Sequence, residues 1–133
     1  MDMISLMKDR DRFAKLAGIE AIEVGADFAK VKMVIADCHR NALDMVHGGA
    51  IFSLADYAFA LASNSVAPPS VALSVSIQFL RPGKDGTLYA TARLQSQSGR
   101  VGTYLVEVKD DAGEMIASFQ GLAFCKASSG KST

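Results

Sequence analysis

The chain has 133 residues, of which 50% are hydrophobic and 21% charged, a mixture and length that suit one folded domain spanning 1–133 and exclude a disordered chain. Its 14 Lys and Arg balance 14 Asp and Glu, and no basic stripe interleaved with aromatics is visible, which argues against a nucleic-acid partner. Cys38 and Cys125 fit neither a C-x-x-C motif nor a zinc ribbon, so free thiols in a reducing, cytoplasmic setting are expected. The start, Met1 to Arg10, lacks the features of a signal peptide. The low-charge stretch 48–80 is interrupted by Asp56, Ser63-Asn-Ser65 and Pro68-Pro69, so no membrane span is expected.

In chain order, Met3, Ile4, Met7, Phe13, Leu16 and Ala17 recur at helical spacing and predict a short amphipathic helix over 3–17, capped by Gly18. Ile19 to Glu23 and Phe28 to Ile35 alternate and read as a hairpin turning at Gly25-Ala-Asp27, with one buried and one wet face along Lys30 to Ile35. Residues 36–46 read as loop. A helix from Val46 or His47 to Asn64 is apolar on nearly every side and belongs in the middle of the fold; Pro68-Pro69 stop it. Ser70 to Leu80, Gly86 to Gln95, Val101 to Lys109 and Glu114 to Lys126 read as strands. The turns Arg81 to Gly86, Ser96 to Gly99 and Asp110 to Gly113 are of a length that joins antiparallel neighbours. The expected fold class is α+β: an antiparallel sheet of five to six strands wrapped around a central helix, with a short N-terminal helix and a disordered tail at 127–133.

Between His47 and Arg81 the chain carries one formal charge, Asp56, inside the apolar helix. Burying a carboxylate without a partner is costly, so Asp56 is paired, placed at an interface, or kept for chemistry. His47-Gly48-Gly49 opens the same helix, where free N–H groups and the positive dipole end can stabilise a developing negative charge. A reaction that passes through a tetrahedral oxyanion needs such a donor together with a base within reach of water. His47 can equally cap the turn, and Gly48 and Gly49 can serve close packing.

Asn41, then five residues, His47-Gly-Gly49, then six residues, and Asp56 in Leu54-Ala-Asp-Tyr-Ala-Phe59, followed by Ile77-Gln-Phe-Leu-Arg-Pro-Gly83, resemble the hotdog-fold acyl-CoA thioesterases of the phenylacetic-acid-degradation type. The similarity in pattern runs from Leu16 to Phe124 and is specific around 41–64. It implies Asp56 as general base or nucleophile, Gly48 as oxyanion-hole N–H, and Asn41 and His47 as orienting residues. Around them, Gly49, Tyr57, Arg81 and Arg100 become candidates for substrate binding; Arg93 and Lys126 are further cations at strand ends or turns. It also implies an acyl-CoA substrate, no metal and no cofactor beyond the CoA of that substrate, and a homodimer at minimum, with a homotetramer expected. Ala42 and Tyr57 depart from the pattern of many relatives, and a bulky Tyr57 beside Asp56 is expected to reshape the acyl pocket. That leaves aryl- and medium-chain acyl-CoA esters open.

Asp56 follows Gly48 by eight residues, roughly 12 Å along one helix. If both act on one carbonyl, Asp56 of one subunit must meet Asn41, His47 and Gly48 of another across a two-fold axis. The alternatives are a hotdog hydratase or dehydratase, which uses a different His and acid arrangement, and a non-catalytic acyl-CoA binding module. A serine hydrolase lacks G-x-S-x-G around Ser53, and His39 and His47 form no metal-ligand cluster.

Overall fold

The computed structural model describes residues 2–66 and 68–126; the tail expected at 127–133 lies outside them. Helices α1 (Met3–Arg10) and α2 (Arg12–Ala17) precede a hairpin of β1 (Ile19–Gly25) and β2 (Phe28–Val34). A loop containing a 3-10 turn at Asp37–His39 leads to α3 (Gly48–Ser63), and β3 (Ser70–Phe79), β4 (Thr87–Ser98), β5 (Val101–Lys109) and β6 (Met115–Cys125) follow. The six strands form one antiparallel sheet in the order β1-β2-β4-β5-β6-β3. This is the expected helix wrapped by a sheet, with two corrections.

The first correction concerns the N-terminal helix, which is two helices. Asp11 interrupts it, because its carboxylate accepts the Ala14 N–H at 2.9 Å and so caps α2, while its own N–H closes α1 on the Met7 carbonyl. Aspartate favours a cap over a helix interior for this reason. Gly18 ends α2 in the left-handed region at φ 73°, as expected.

The second correction concerns Arg81 to Gly86, which joins strands that are not neighbours. β3 pairs with β6 at one sheet edge, and β4 lies between β2 and β5. The link does not turn back on itself because it is bonded to the 36–47 loop instead: Val46 N–H donates to Gly83 O at 2.9 Å and Arg40 Nη1 to Lys84 O at 2.6 Å. The other two turns join neighbours as expected.

Alternation along the strands sends Ala29, Val31 and Met33 of β2, Leu88, Ala90 and Ala92 of β4, and Tyr104, Val106 and Val108 of β5 into the core, all buried. They meet Ile51, Leu54, Ala58, Phe59, Leu61 and Ala62 of α3, and the alanines let helix and sheet approach closely. Gly121 on β6 is required by the same packing, since a Cβ there would stand 2.7 Å from the Phe59 ring. The face of α3 bearing Gly49, Phe52, Ser53, Asp56 and Ala60 is left incompletely covered.

The hairpin turn is tied to both the helix exit and the sheet. Asp27, at φ 55°, takes its N–H to Ser65 Oγ at 2.7 Å, and its carboxylate accepts the Tyr104 hydroxyl at 2.6 Å. Tyr104 is 1% exposed, and burial together with Asp27 drives its hydroxyl pKa far up. Removing that hydroxyl deletes its bond to the Asp27 carboxylate. Tyr104→Phe is therefore expected to lose about 1.5–3 kcal/mol in urea unfolding, the range for a hydrogen bond to a charged group; an unchanged midpoint would show the bond to be worth nothing net.

Candidate active site

α3 begins where the sequence expects. His47 is its N-cap in extended conformation (φ −61°, ψ 137°), and its Nδ1 accepts the Gly49 N–H at 2.8 Å. With Nδ1 an acceptor, the neutral ring carries its proton on Nε2. The capping role of His47 is thus seen directly. It also separates the two glycines: the Gly49 N–H is consumed, whereas Gly48, as first helical residue, has no carbonyl one turn back and no partner for its N–H among the described residues.

Asn41 folds its own loop. Its Oδ1 accepts the N–H groups of Leu43 (2.9 Å) and Met45 (3.1 Å), which leaves the Nδ2 amide without a partner among the described residues. The same loop is fixed from behind by His39, a residue that the motif does not contain. Its buried ring accepts the Ala36 N–H through Nδ1 and reaches the Ala17 carbonyl through Nε2 at 2.5 Å, while its own carbonyl accepts the His47 N–H. His39 therefore couples the end of α2 to the start of α3.

Asn41, Gly48 and Arg81 line one pocket of about 280 Å3, walled by Met45, Ile51 and Phe79. The exposed Arg81 guanidinium lies 3.7 Å from Glu114 Oε2. Asp56 does not open into that pocket. It lines a second one of about 130 Å3 with Phe52, Ser53, Tyr57 and Ala60 from α3, and Asp11, Phe13, Ala14 and Ile19 from the N-terminal segment. Tyr57, the expected pocket-shaping residue, is therefore beside Asp56. Gly49 takes part through the His47 cap. Arg100 sits elsewhere, in a small cleft with Ser70 and Gln97, and Ser70 is bonded to Asn64, the residue that ends α3 at the opposite end from Gly48. Arg93 stacks over the Phe28 ring on the outer face of the sheet, with 4.9 Å to its centroid.

Asp56 is half-buried, and its carboxylate has no hydrogen bond or ion pair among the described residues. Burial pushes its pKa above the ordinary aspartate value, and the negative charge of Asp11 adds to the rise. Burial and Asp11 likewise raise Tyr57. A desolvated, unpaired carboxylate in a cleft has the properties of a base and few of a structural acid. Neither Asp11 nor Phe13 stands out in the sequence as a pocket residue, and the local signal there is an aspartate suited to capping inside the N-terminal helical pattern.

Among the described residues no helix is long and apolar enough to cross a membrane. Cys38 is exposed and Cys125 buried, and no disulfide joins them.

A six-stranded antiparallel sheet curled round one long helix is the hotdog arrangement. A model of the thioesterase superfamily matches residues 43–117. The chain is 40% identical over 116 residues to the acyl-coenzyme A thioesterase PaaI of Escherichia coli, covering 86% of this chain and 83% of that protein. The structure of the Escherichia coli PaaI protein from the phenylacetic acid degradation operon superposes with a TM-score of 0.89 at 37% identity, over 94% of this chain and 91% of that one. A mutant of the phenylacetic acid degradation protein PaaI of Thermus thermophilus gives 0.80 at 35% identity, over 84% and 96%. The chain belongs to the thioesterase superfamily, as a thioester hydrolase of the PaaI type.

Proposed function

We propose that the protein is a cytoplasmic acyl-CoA thioesterase that cleaves aryl- or medium-chain acyl-CoA to free acid and CoA, in sites shared between the subunits of a homodimer that pairs into a homotetramer. The observation that carries this reading is Asp56, a half-buried carboxylate without a partner in a cleft. Asp56 acts as base on water or as nucleophile. The Gly48 N–H, at the positive end of α3, receives the oxyanion, and the Asn41 amide and the Nε2–H of His47 orient carbonyl and water. Thiolate leaves readily, so the chain supplies no strong general acid, and no cofactor beyond the CoA of the substrate is required.

Sharing across two subunits follows from the separate pockets of Asp56 and Gly48. Its structural support is the edge strand β3, whose outer side has no partner strand among the described residues, and which exposes Leu73 (56%) and, at its end, Phe79 (53%). An open apolar edge is a pairing surface, and two such edges related by a two-fold axis would bury each other. In that arrangement Arg81 and Arg100 are the cations offered to the CoA phosphates.

The test is release of CoA thiol from a panel of phenylacetyl-, hydroxyphenylacetyl-, benzoyl-, short- and long-chain acyl-CoA. Turnover of aryl or medium-chain members is expected; binding without turnover of any member would indicate a binding module. The pH profile adds a second check. A base must be ionised, and Asp56 holds its proton to higher pH than an ordinary aspartate. The acid limb of kcat/KM should therefore lie above the ordinary aspartate range. A limb at or below that range would contradict Asp56 as the titrating group.

A further inference from the structure

The Asp56 pocket has two walls of different origin. One is a single face of α3; the other is the N-terminal segment, contributing Asp11, Phe13, Ala14 and Ile19. This second wall is held by its backbone. α2 is capped at its start by Asp11, at its end by Gly18, and its last carbonyl, that of Ala17, is bonded to the buried His39 ring. Ala14 and Ile19 are its buried anchors, at 4% and 6% exposure. Phe13 contributes little to that anchoring, since it is 61% exposed, yet it lines the pocket that contains Asp56. An exposed aromatic side chain on a rigid backbone, standing in a reaction pocket, is suited to touch a ligand.

The charges of the pocket are equally specific. Its lining carries two carboxylates, Asp11 and Asp56, and no Lys or Arg; the cations of α2, Arg12 and Lys15, are exposed and outside the lining. Asp11 cannot swing away freely, because its Oδ1 is engaged by the Ala14 N–H. The volume of about 130 Å3 is close to the roughly 150 Å3 of an apolar cavity that accepts benzene. One ring or a short alkyl chain fits, and a second negative charge would face Asp11 in a partly desolvated space.

We propose that the N-terminal segment is the acyl-selecting wall of the site, in which Phe13 packs on the acyl group and Asp11 rejects acyl groups that carry a carboxylate. This rests on the reading of the Asp56 pocket as the acyl site. The substrate class is thereby narrowed to uncharged acyl groups of about one ring in size. Discrimination comes from the unfavourable element as much as from the favourable one, as specificity commonly does.

The experiment measures Kd by calorimetry for two unreactive thioethers of CoA, S-hexyl-CoA and S-(5-carboxypentyl)-CoA, with kcat/KM for hexanoyl-CoA and adipoyl-CoA in parallel. The parent protein should prefer the uncharged member of each pair. Asp11→Asn keeps the helix cap, since asparagine caps as well as aspartate, and should narrow that preference by about tenfold. Phe13→Ala should lower kcat/KM for phenylacetyl-CoA relative to acetyl-CoA by about tenfold. Equal binding of the two thioethers by the parent, or a preference untouched by Asp11→Asn, would overturn the role of Asp11; an unchanged phenylacetyl-to-acetyl ratio in Phe13→Ala would overturn that of Phe13. Asp56→Asn assayed beside them separates the failures. If it is inactive while the selectivities stay fixed, the acyl wall is wrong and the reading of Asp56 stands; if it turns over normally, that reading is wrong.

Discussion

Replacing Asp56 with asparagine should reduce hydrolysis of the best acyl-CoA by about 10²–10⁴-fold, the range for loss of a positioned base, while substrate still binds. Asparagine matches the shape of the carboxylate and removes its basicity and its charge. The same substitution should make the protein more stable at neutral pH. The folded protein holds the Asp56 proton to higher pH than the unfolded chain does, because burial and Asp11 raise its pKa. Between the two pKa values the native state therefore binds more protons, and stability falls as pH rises through that window. Above that window the cost is fully present, and Asp56→Asn removes it. An inactive variant with a higher Tm is thus the expected pair of results. Loss of activity with a lower Tm would instead mark Asp56 as a structural acid, and near-parental turnover would remove it from the chemistry.

The second large effect is expected at Gly48. The position is the first of α3, where proline is well accepted, and the preceding His47 at φ −61° and ψ 137° already has the conformation that a following proline requires. Gly48→Pro therefore deletes one N–H with little penalty to the helix. If that N–H receives the oxyanion, kcat should fall by about 10²–10³-fold. Gly48→Ala is the control, because it keeps the N–H and its Cβ would meet the Phe79 ring at 3.4 Å, an ordinary contact. A proline variant that folds and keeps its kcat would move the oxyanion hole elsewhere.

Much of this arrangement can be read along the chain, and the limits have a physical origin. The ends of α3 are legible because they are local: His47-Gly-Gly starts it, and the helix closes at Ser63, before Pro68-Pro69. The buried positions of β2 follow from alternation, since every second residue of a strand faces the core. Strand adjacency does not follow. Six turn-like residues from Arg81 to Gly86 look the same whether they close a hairpin or cross from the sheet edge to its interior, and only the bonds of Gly83 and Lys84 to the 36–47 loop decide it. Within the candidate site, Asn41, Gly48 and Asp56 are singled out by the resemblance, while their division between two pockets, Asn41 and Gly48 in one and Asp56 in the other, is seen only in the structure. Asp11 and Phe13 are brought in by the docking of α2 beside α3, and His39 by its bond to Ala17, 22 residues earlier; these are tertiary contacts that no local pattern encodes.

The claim that joins these observations is that Asp56 and Gly48 act on one carbonyl from different subunits. It is tested by unfolding and refolding together, in equal amounts, the Asp56→Asn and Gly48→Pro proteins, each inactive alone. Random pairing makes half of the dimers mixed, and each mixed dimer holds one site with both native groups and one with neither. The account predicts recovery of about a quarter of the parental kcat per dimer site. A mixture that pairs but stays as inactive as its components would place both groups on one chain and contradict the shared site.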